Sequence, residues 1–197
     1  MIGFMRRAVF SALAASSATS LACMHNATGE QSHGGLTLTP GCREGDEPTI
    51  AQTEGPYFTP NAPLKRDLTA DVSTGEPVLI GGFVLDVRCR PVSRALLQLW
   101  QANQTGAYDN QGFKLRGHQF TDDQGLWWFS TIVPGLYPGR TRHIHVKVQR
   151  AGGPVLTTQL YFPDEPRNRS DSLFDTRLLM RFSNVDERRL GRFDFVI

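Results

Sequence analysis

From residue 78 to residue 162 the chain repeats one pattern. A short run rich in Val, Leu, Ile and aromatic residues gives way to a cluster of Gly, Pro, Asp or Asn, and the pattern starts again. The runs fall at 78–87, 95–101, 126–131, 143–149 and 155–162. In 95–101 the side chains of Leu97, Leu99 and Gln101 share one face, and those of Leu96, Gln98 and Trp100 the other, as strand periodicity requires. Spaced short strands of this kind predict an all-β sandwich or barrel with turn-rich connections. The stretch 192–197 alternates again and is expected to add a final strand, whereas 172–180 is the best candidate for a helix of one or two turns. A chain of 197 residues can bury one real core, and neither an internal repeat nor a second domain is visible.

The N-terminus does not read as part of that fold. Arg6 and Arg7 form a short basic region, residues 8–22 are small and apolar with interspersed serines, and Leu21-Ala22-Cys23 offers a small-residue cleavage site. This is the pattern of a signal peptide over 1–22, with Arg6-Arg7 also permitting twin-arginine export. Cys23, behind a partial lipoprotein box, is a candidate lipid anchor. The expected location is therefore exported, periplasmic or extracellular. Residues 23–50 are polar, rich in Gly, Thr and His, and read as a flexible or extended lead to a folded domain over 51–197. Removing the two arginines of the first 22 residues takes the formal charge from +2 to 0, so the basic pI gives no argument for nucleic-acid binding. No run reaches the roughly 18 apolar residues of a transmembrane helix. With Cys23 at the mature terminus, Cys42 and Cys89 remain as either a disulfide pair or two free thiols, since sequence does not give their separation.

The chemistry concentrates in Tyr137-Pro138-Gly139-Arg140-Thr141-Arg142-His143-Ile144-His145. On a strand, His143 and His145 point the same way, so together they can form half of a metal site. By themselves they leave copper, zinc and iron open, and a polar sheet face is the bland alternative. Tyr137 sits in a Pro-Gly turn and Tyr108 just beyond an apolar strand; either is otherwise an ordinary packing aromatic. His25, His33 and His118 lack such company and are expected to be structural or surface residues.

Seven fragments in order carry a resemblance: Gln-Thr-Glu-Gly-Pro-Tyr-Phe at 52–58, Leu-Trp-Gln-Ala-Asn at 99–103, Gly-Ala-Tyr at 106–108, Arg116-Gly117, Thr-Asp-Asp-Gln-Gly at 121–125, the 137–145 block, and Thr-Gln-Leu-Tyr-Phe at 158–162. Together they resemble the intradiol ring-cleavage dioxygenases, the family of protocatechuate 3,4-dioxygenase and catechol 1,2-dioxygenase, and are closest to its short, exported branch. The resemblance implies a single β-sandwich domain and one Fe(III) per active site, held by Tyr108, Tyr137, His143 and His145. Tyr108 and His143 match the equatorial ligands, Tyr137 and His145 the axial ones. A hard phenolate oxygen suits ferric iron. The implied reaction opens a catechol between its hydroxyl-bearing carbons with O2, giving a muconate-type diacid, as in aromatic catabolism. Arg140 matches the catalytic arginine, Gln159 the glutamine that backs it, and Tyr57 a residue of the substrate mouth. Tyr137 is implied to accept a substrate proton. Leu79, Gly106, Ala107 and Asp109 are candidates to shape the pocket, and Arg142 is expected to face away from the metal.

The implied partners are a small catechol and O2, with a homo-oligomer permitted and no nucleic acid. The alternative from a different class is a non-catalytic aromatic or iron-catecholate-binding β-sandwich. A binder has no need of Arg140.

Overall fold

The computed structural model describes Cys42, residues 47–185 and residues 187–197. Among these residues the strands are β1 (Pro77–Leu85), β2 (Leu96–Trp100), β3 (Arg116–Phe120), β4 (Leu126–Ile132), β5 (His143–Gln149), β6 (Val155–Tyr161), β7 (Arg181–Val185), β8 (Arg188–Arg192) and β9 (Phe195–Val196). One sheet runs β4-β1-β8-β7, with β9 also paired to β1; the other runs β3-β2-β5-β6. Pairing is antiparallel except where β1 meets β8 and β9, which it does in parallel. The result is a β-sandwich, one of the two architectures that the alternating runs predict and the one that the resemblance implies.

Apolar alternation explains how the sheets meet. Ile80, Val84, Trp127 and Phe129 of one sheet and Leu97, Leu99, Ile144, Val146, Val148 and Leu160 of the other form a single buried cluster. In β5 the core takes Ile144, Val146 and Val148, so His143, His145 and Lys147 stand on the opposite, outer face of the four-stranded sheet. That choice of face places the site outside the apolar core, beneath the loops that fold over the sheet.

Three sequence expectations change. Residues 172–180 do not form a helix; a 3-10 turn at Thr176–Leu178, capped by the Asp175 carboxylate accepting from the Arg177 N–H, is all that forms. The next residues are drawn into sheet-like contact instead: Leu179 bridges Tyr161, and the Met180 N–H donates to the Tyr161 carbonyl. Tertiary pairing outweighs a helix too short to stabilise itself. The expected strand at 192–197 is broken at Phe193-Asp194 and contributes to two strands, β8 and β9. Strands β3 and β7 carry no apolar alternation and were not anticipated.

Cys42 and Cys89 are joined by a disulfide, with Cα atoms 5.7 Å apart across a sequence separation of 47. Thr49 bonds to Val196 through its N–H and its hydroxyl oxygen, Ile50 accepts from the Thr158 hydroxyl, and the Gln52 N–H donates to Thr157. The chain entering the domain is thus fastened along β6 and delivers residues 52–58 to the outer face of the β5 sheet. Cys23, His25 and His33 lie outside the described residues. No helix among the described residues is long and apolar enough to cross a membrane.

Candidate active site

Register places the site. Antiparallel pairing sets Trp100 and Gln159 on either side of His145, and Tyr161 beside His143. Directly opposed side chains in such a ladder lie about 5 Å apart, so the outer face carries a row of Trp100, His145 and Gln159 next to a pair of His143 and Tyr161. The two imidazoles converge: their Nε2 atoms are 3.2 Å apart, and both residues are buried. His143 Nδ1 lies 2.6 Å from the Thr141 carbonyl oxygen. A carbonyl can only accept, so Nδ1 carries the proton and His143 Nε2 presents its lone pair. His145 is held differently, stacked on Trp100 with ring centroids 4.8 Å apart and an interplanar angle of 8°.

Two loops bring in the tyrosines. The Tyr108 hydroxyl is 3.4 Å from His143 Nε2, and its ring stands edge-on to that of Tyr137, 5.9 Å between centroids. Asn103 organises this junction. Its side-chain oxygen accepts from the Thr105 and Ala107 N–H groups, and its carbonyl accepts from Gly135 N–H, tying the Tyr108 loop to the Tyr137 loop. Tyr57, from the incoming segment, stacks on Tyr108 at 4.5 Å and shares a 2.7 Å hydrogen bond with the Tyr137 hydroxyl. Tyr57, Tyr108, Tyr137 and Tyr161 are all the tyrosines the chain has, and they surround one pair of histidines.

In the absence of a cation the environment keeps the imidazoles neutral and the phenols of Tyr57 and Tyr108 protonated. Burial lowers His143 to about 4, against the opposing hydrogen bond to Thr141, and Arg140 adds to the drop. Burial likewise holds His145 well below its ordinary value, with His143 and Arg140 contributing. Burial raises the Tyr108 phenol although Arg140 and Arg116 pull the other way. The bond to Tyr137 is the main reason that Tyr57 is raised.

These donors fit a ferric ion. His143 Nε2 offers a lone pair 3.2 Å from the other Nε2, with a phenol oxygen in reach and neutral imidazoles on both sides. His145 Nδ1 is buried with no hydrogen-bond partner, so neither tautomer of that ring is fully satisfied by the protein alone. Hard phenol oxygens combined with imidazole nitrogens match Fe(III) better than a soft metal. Among the described residues no group of three or more His, Cys, Asp or Glu side chains forms a metal cluster, so the tyrosines would have to complete the set.

Arg140 stands beside the histidines. Its Nη2 donates to Gln159 Oε1 at 2.7 Å, while the Gln159 amide donates to the Thr53 carbonyl. Arg142 turns elsewhere, its Nε 3.1 Å from Glu165 and its Nη1 donating to the Pro134 carbonyl.

Residues 53–178 match the sequence model of a family described as Dioxygenase. The chain is 32% identical over 162 residues to hydroxyquinol 1,2-dioxygenase of Rhizobium sp., covering 68% of this chain and 55% of that enzyme. It is 35% identical over 151 residues to the beta chain of protocatechuate 3,4-dioxygenase from Burkholderia cepacia, covering 61% and 64%. The chain belongs to the intradiol ring-cleavage dioxygenase family. Among solved structures, the dioxygenase domain of a dioxygenase carbohydrate-binding protein fusion from Streptomyces sp. SirexAA-E is 54% identical, with a TM-score of 0.74, covering 77% of this chain and 98% of that one. The chain spans less than two thirds of the length of the Rhizobium and Burkholderia relatives.

Within this intradiol dioxygenase fold, Tyr57, Tyr108, Tyr137, Arg140, His143, His145 and Gln159 are gathered in one place. Leu79 is not: it lies on β1 of the other sheet, paired with Ser130 and Leu190. Gly106 has φ of 88°, and a Cβ there would overlap the Leu136 carbonyl oxygen. Both constraints demand glycine. Gly106→Ala is expected to cost about 2 kcal/mol or more from the strained backbone and the clash. It should also weaken metal retention by parting the Tyr108 and Tyr137 loops. Urea denaturation with metal analysis of the same preparation checks both effects.

Sequence reasoning gave no role to Arg116 and Trp100, although both lie in the matched fragments, and did not single out Asp171. Arg116 is 1% exposed and spends its guanidinium on backbone carbonyls, Nη1 donating to Tyr57 and Nε and Nη2 to Asp109. It clamps the Tyr57 segment to the Tyr108 loop. Its place in an Arg-Gly pair on a polar strand gave no periodic signal.

The buried histidines also set a pH response. His143 titrates near 4 when folded and near 6.5 when unfolded. Between these values the unfolded chain binds more protons, so stability falls as pH falls from about 6.5 toward 4 and is fully present above 6.5. The metal-free intradiol protein is expected to lose about 3 kcal/mol across this window from His143, with His145 acting in the same direction. Denaturant titrations of chelator-treated protein at pH 7, 5.5 and 4.5 measure it; a flat profile would contradict buried neutral imidazoles.

Proposed function

We propose that the domain over residues 51–197 is an Fe(III)-dependent intradiol dioxygenase that cleaves a catechol between its two hydroxyl-bearing carbons with O2, giving a muconate-type diacid. The observation that carries this is the convergence of Tyr108, Tyr137, His143 and His145 with Arg140 and Gln159 alongside. Tyr108, Tyr137, His143 and His145 would hold one ferric ion. Bound there, such an ion would supply Lewis-acid activation of a catechol toward dioxygen.

The chain's own residues supply the rest. Thr141 fixes the His143 tautomer so that Nε2 faces the metal position. Once ionised by a bound cation, Tyr137 would accept a catechol proton at its phenolate oxygen, and Tyr57, whose hydroxyl lies 2.7 Å from that oxygen, would keep the resulting phenol hydrogen-bonded near the site. Arg140 presents a permanent positive charge to the ring as negative charge develops there, oriented by Gln159. Tyr57 and Tyr108, stacked at 4.5 Å beside Tyr137, offer aromatic surface that suits a planar substrate.

Export is part of the same proposal: residues 1–22 act as a signal peptide, 23–50 as a lead, and Cys23 as a candidate lipid anchor. The Cys42–Cys89 disulfide supports it, because such bonds persist in oxidising compartments.

Oxygen uptake with catechol, protocatechuate and hydroxyquinol tests the activity. At least one should be consumed with one O2 per ring, by a protein whose visible charge-transfer band shifts when substrate binds. A colourless protein that purifies with stoichiometric zinc, or one that takes up no oxygen with any of the three, overturns the proposal.

A further inference from the structure

Asp171 has no part in the chemistry described so far, yet it makes the shortest charged contact of Arg140. Arg140 Nε donates to Asp171 Oδ2 at 2.8 Å. Nη2 donates to Gln159 Oε1 at 2.7 Å and to the Tyr161 hydroxyl at 3.3 Å. Nη1 has no hydrogen-bond partner among the described residues. Two of the three guanidinium nitrogens are therefore fixed, and one is left for a substrate.

The carboxylate is itself held from several directions. Its Oδ2 also accepts the Thr141 N–H at 2.7 Å, and its Oδ1 accepts the Leu173 N–H at 2.9 Å. The Asp171 side chain is 3% exposed, against 17% for Arg140. Its own segment is tied down in turn: the Leu173 carbonyl accepts from the Tyr161 hydroxyl at 2.8 Å and from the Gln52 amide at 2.5 Å. Asn168, three residues earlier, accepts the Thr141 hydroxyl at 2.6 Å.

We propose that Asp171 is the positioning residue of Arg140, fixing the plane of its guanidinium so that Nη1 remains the one donor free to meet the substrate. This rests on the catalytic role of Arg140 given above. A free arginine side chain samples many rotamers, and a planar fork anchored at Nε and Nη2 samples few. There is an electrostatic consequence as well. An unpaired guanidinium beside a metal-binding pair of imidazoles would repel the cation. With a carboxylate at 2.8 Å the pair is close to neutral at the metal's distance, while the Nη1 hydrogens keep their polarity for a neighbour in direct contact.

A carboxylate that only held the 140–141 backbone would make the same bond to Thr141, so the experiment must separate the two roles. Asp171→Ala, Arg140→Ala and the double variant are compared in the iron-loaded full chain, with iron content measured on each. Acting through Arg140, Asp171→Ala should lower kcat on the order of 10²-fold, the scale of a mispositioned catalytic group. KM should change little, iron should be retained, and the double variant should be no slower than Arg140→Ala alone. Wild-type kcat in Asp171→Ala overturns the proposal, as does a double variant whose loss is the product of the two single losses. If Arg140→Ala keeps wild-type kcat, it is the catalytic role of Arg140 that fails. A readout independent of turnover uses the metal-free protein: the Arg140 Nε–H should exchange slowly with water in the wild type and rapidly in Asp171→Ala, and unchanged exchange overturns the positioning role. Should Asp171→Ala not fold, Asp171→Asn takes its place in both comparisons, with a smaller kcat loss expected because the amide keeps an acceptor.

Discussion

Tyr108→Phe and His143→Ala proteins are expected to purify with roughly a tenth or less of the iron of the wild type and to show no ring cleavage. Each change removes one donor directly, and even groups that only support a metal ligand typically account for 10- to 100-fold in affinity. His143 is the pivot, because its Nε2 lies 3.2 Å from His145 Nε2 and 3.4 Å from the Tyr108 hydroxyl. Tyr108→Phe is the cleaner test, since it deletes one oxygen and keeps the ring that stacks on Tyr57 at 4.5 Å. Its fold should survive, and circular dichroism with a urea titration would show that. Metal analysis and the visible spectrum read the result: the phenolate charge-transfer intensity should fall with the iron. Full iron occupancy together with turnover in both variants would refute the ligand set.

The second large effect separates binding from catalysis. Arg140→Ala should retain iron and colour but lose on the order of 10²-fold in kcat, about 2.7 kcal/mol of transition-state stabilisation. The arginine side chain hydrogen-bonds to Gln159, Tyr161 and Asp171 and to none of the four side chains proposed as metal ligands, so its removal should leave those donors in place. A site that merely holds an iron-catecholate complex would show no such loss, because binding alone makes no demand on charge that develops during reaction. Stopped-flow measurement of substrate binding alongside oxygen uptake distinguishes the two outcomes.

Much of the site was legible in the chain. Strand alternation alone puts His143 and His145 on one face, and the turn around Tyr137 marks where a side chain projects. The spacing of Arg140 from His143 matched a known pattern. What was not legible were the residues whose role exists only across strands or loops. Arg116 and Gln119 are buried at 1% exposure on β3, a strand with no apolar alternation, because their polar groups find partners only after folding. Asp171 sits in a turn-rich segment that reads as ordinary loop, and its meaning comes from a partner 31 positions away. The 172–180 segment shows the opposite error: Phe174 and Leu178 are apolar at helix-like spacing, yet the backbone of Leu179 and Met180 pairs with Tyr161 of β6.

By itself, then, the sequence determined local direction: which side chains share a strand face, where the chain turns, and which residue types are at hand to bind a metal. These follow from fixed backbone geometry within a few residues. Tertiary structure alone decided register and face. Packing Ile144, Val146 and Val148 into the core turned the two histidines outward, and pairing with β2 and β6 set Trp100 and Gln159 beside His145 and Tyr161 beside His143. A one-residue slip in that pairing would reverse every side chain, and only the summed burial of both sheets is large enough to forbid it.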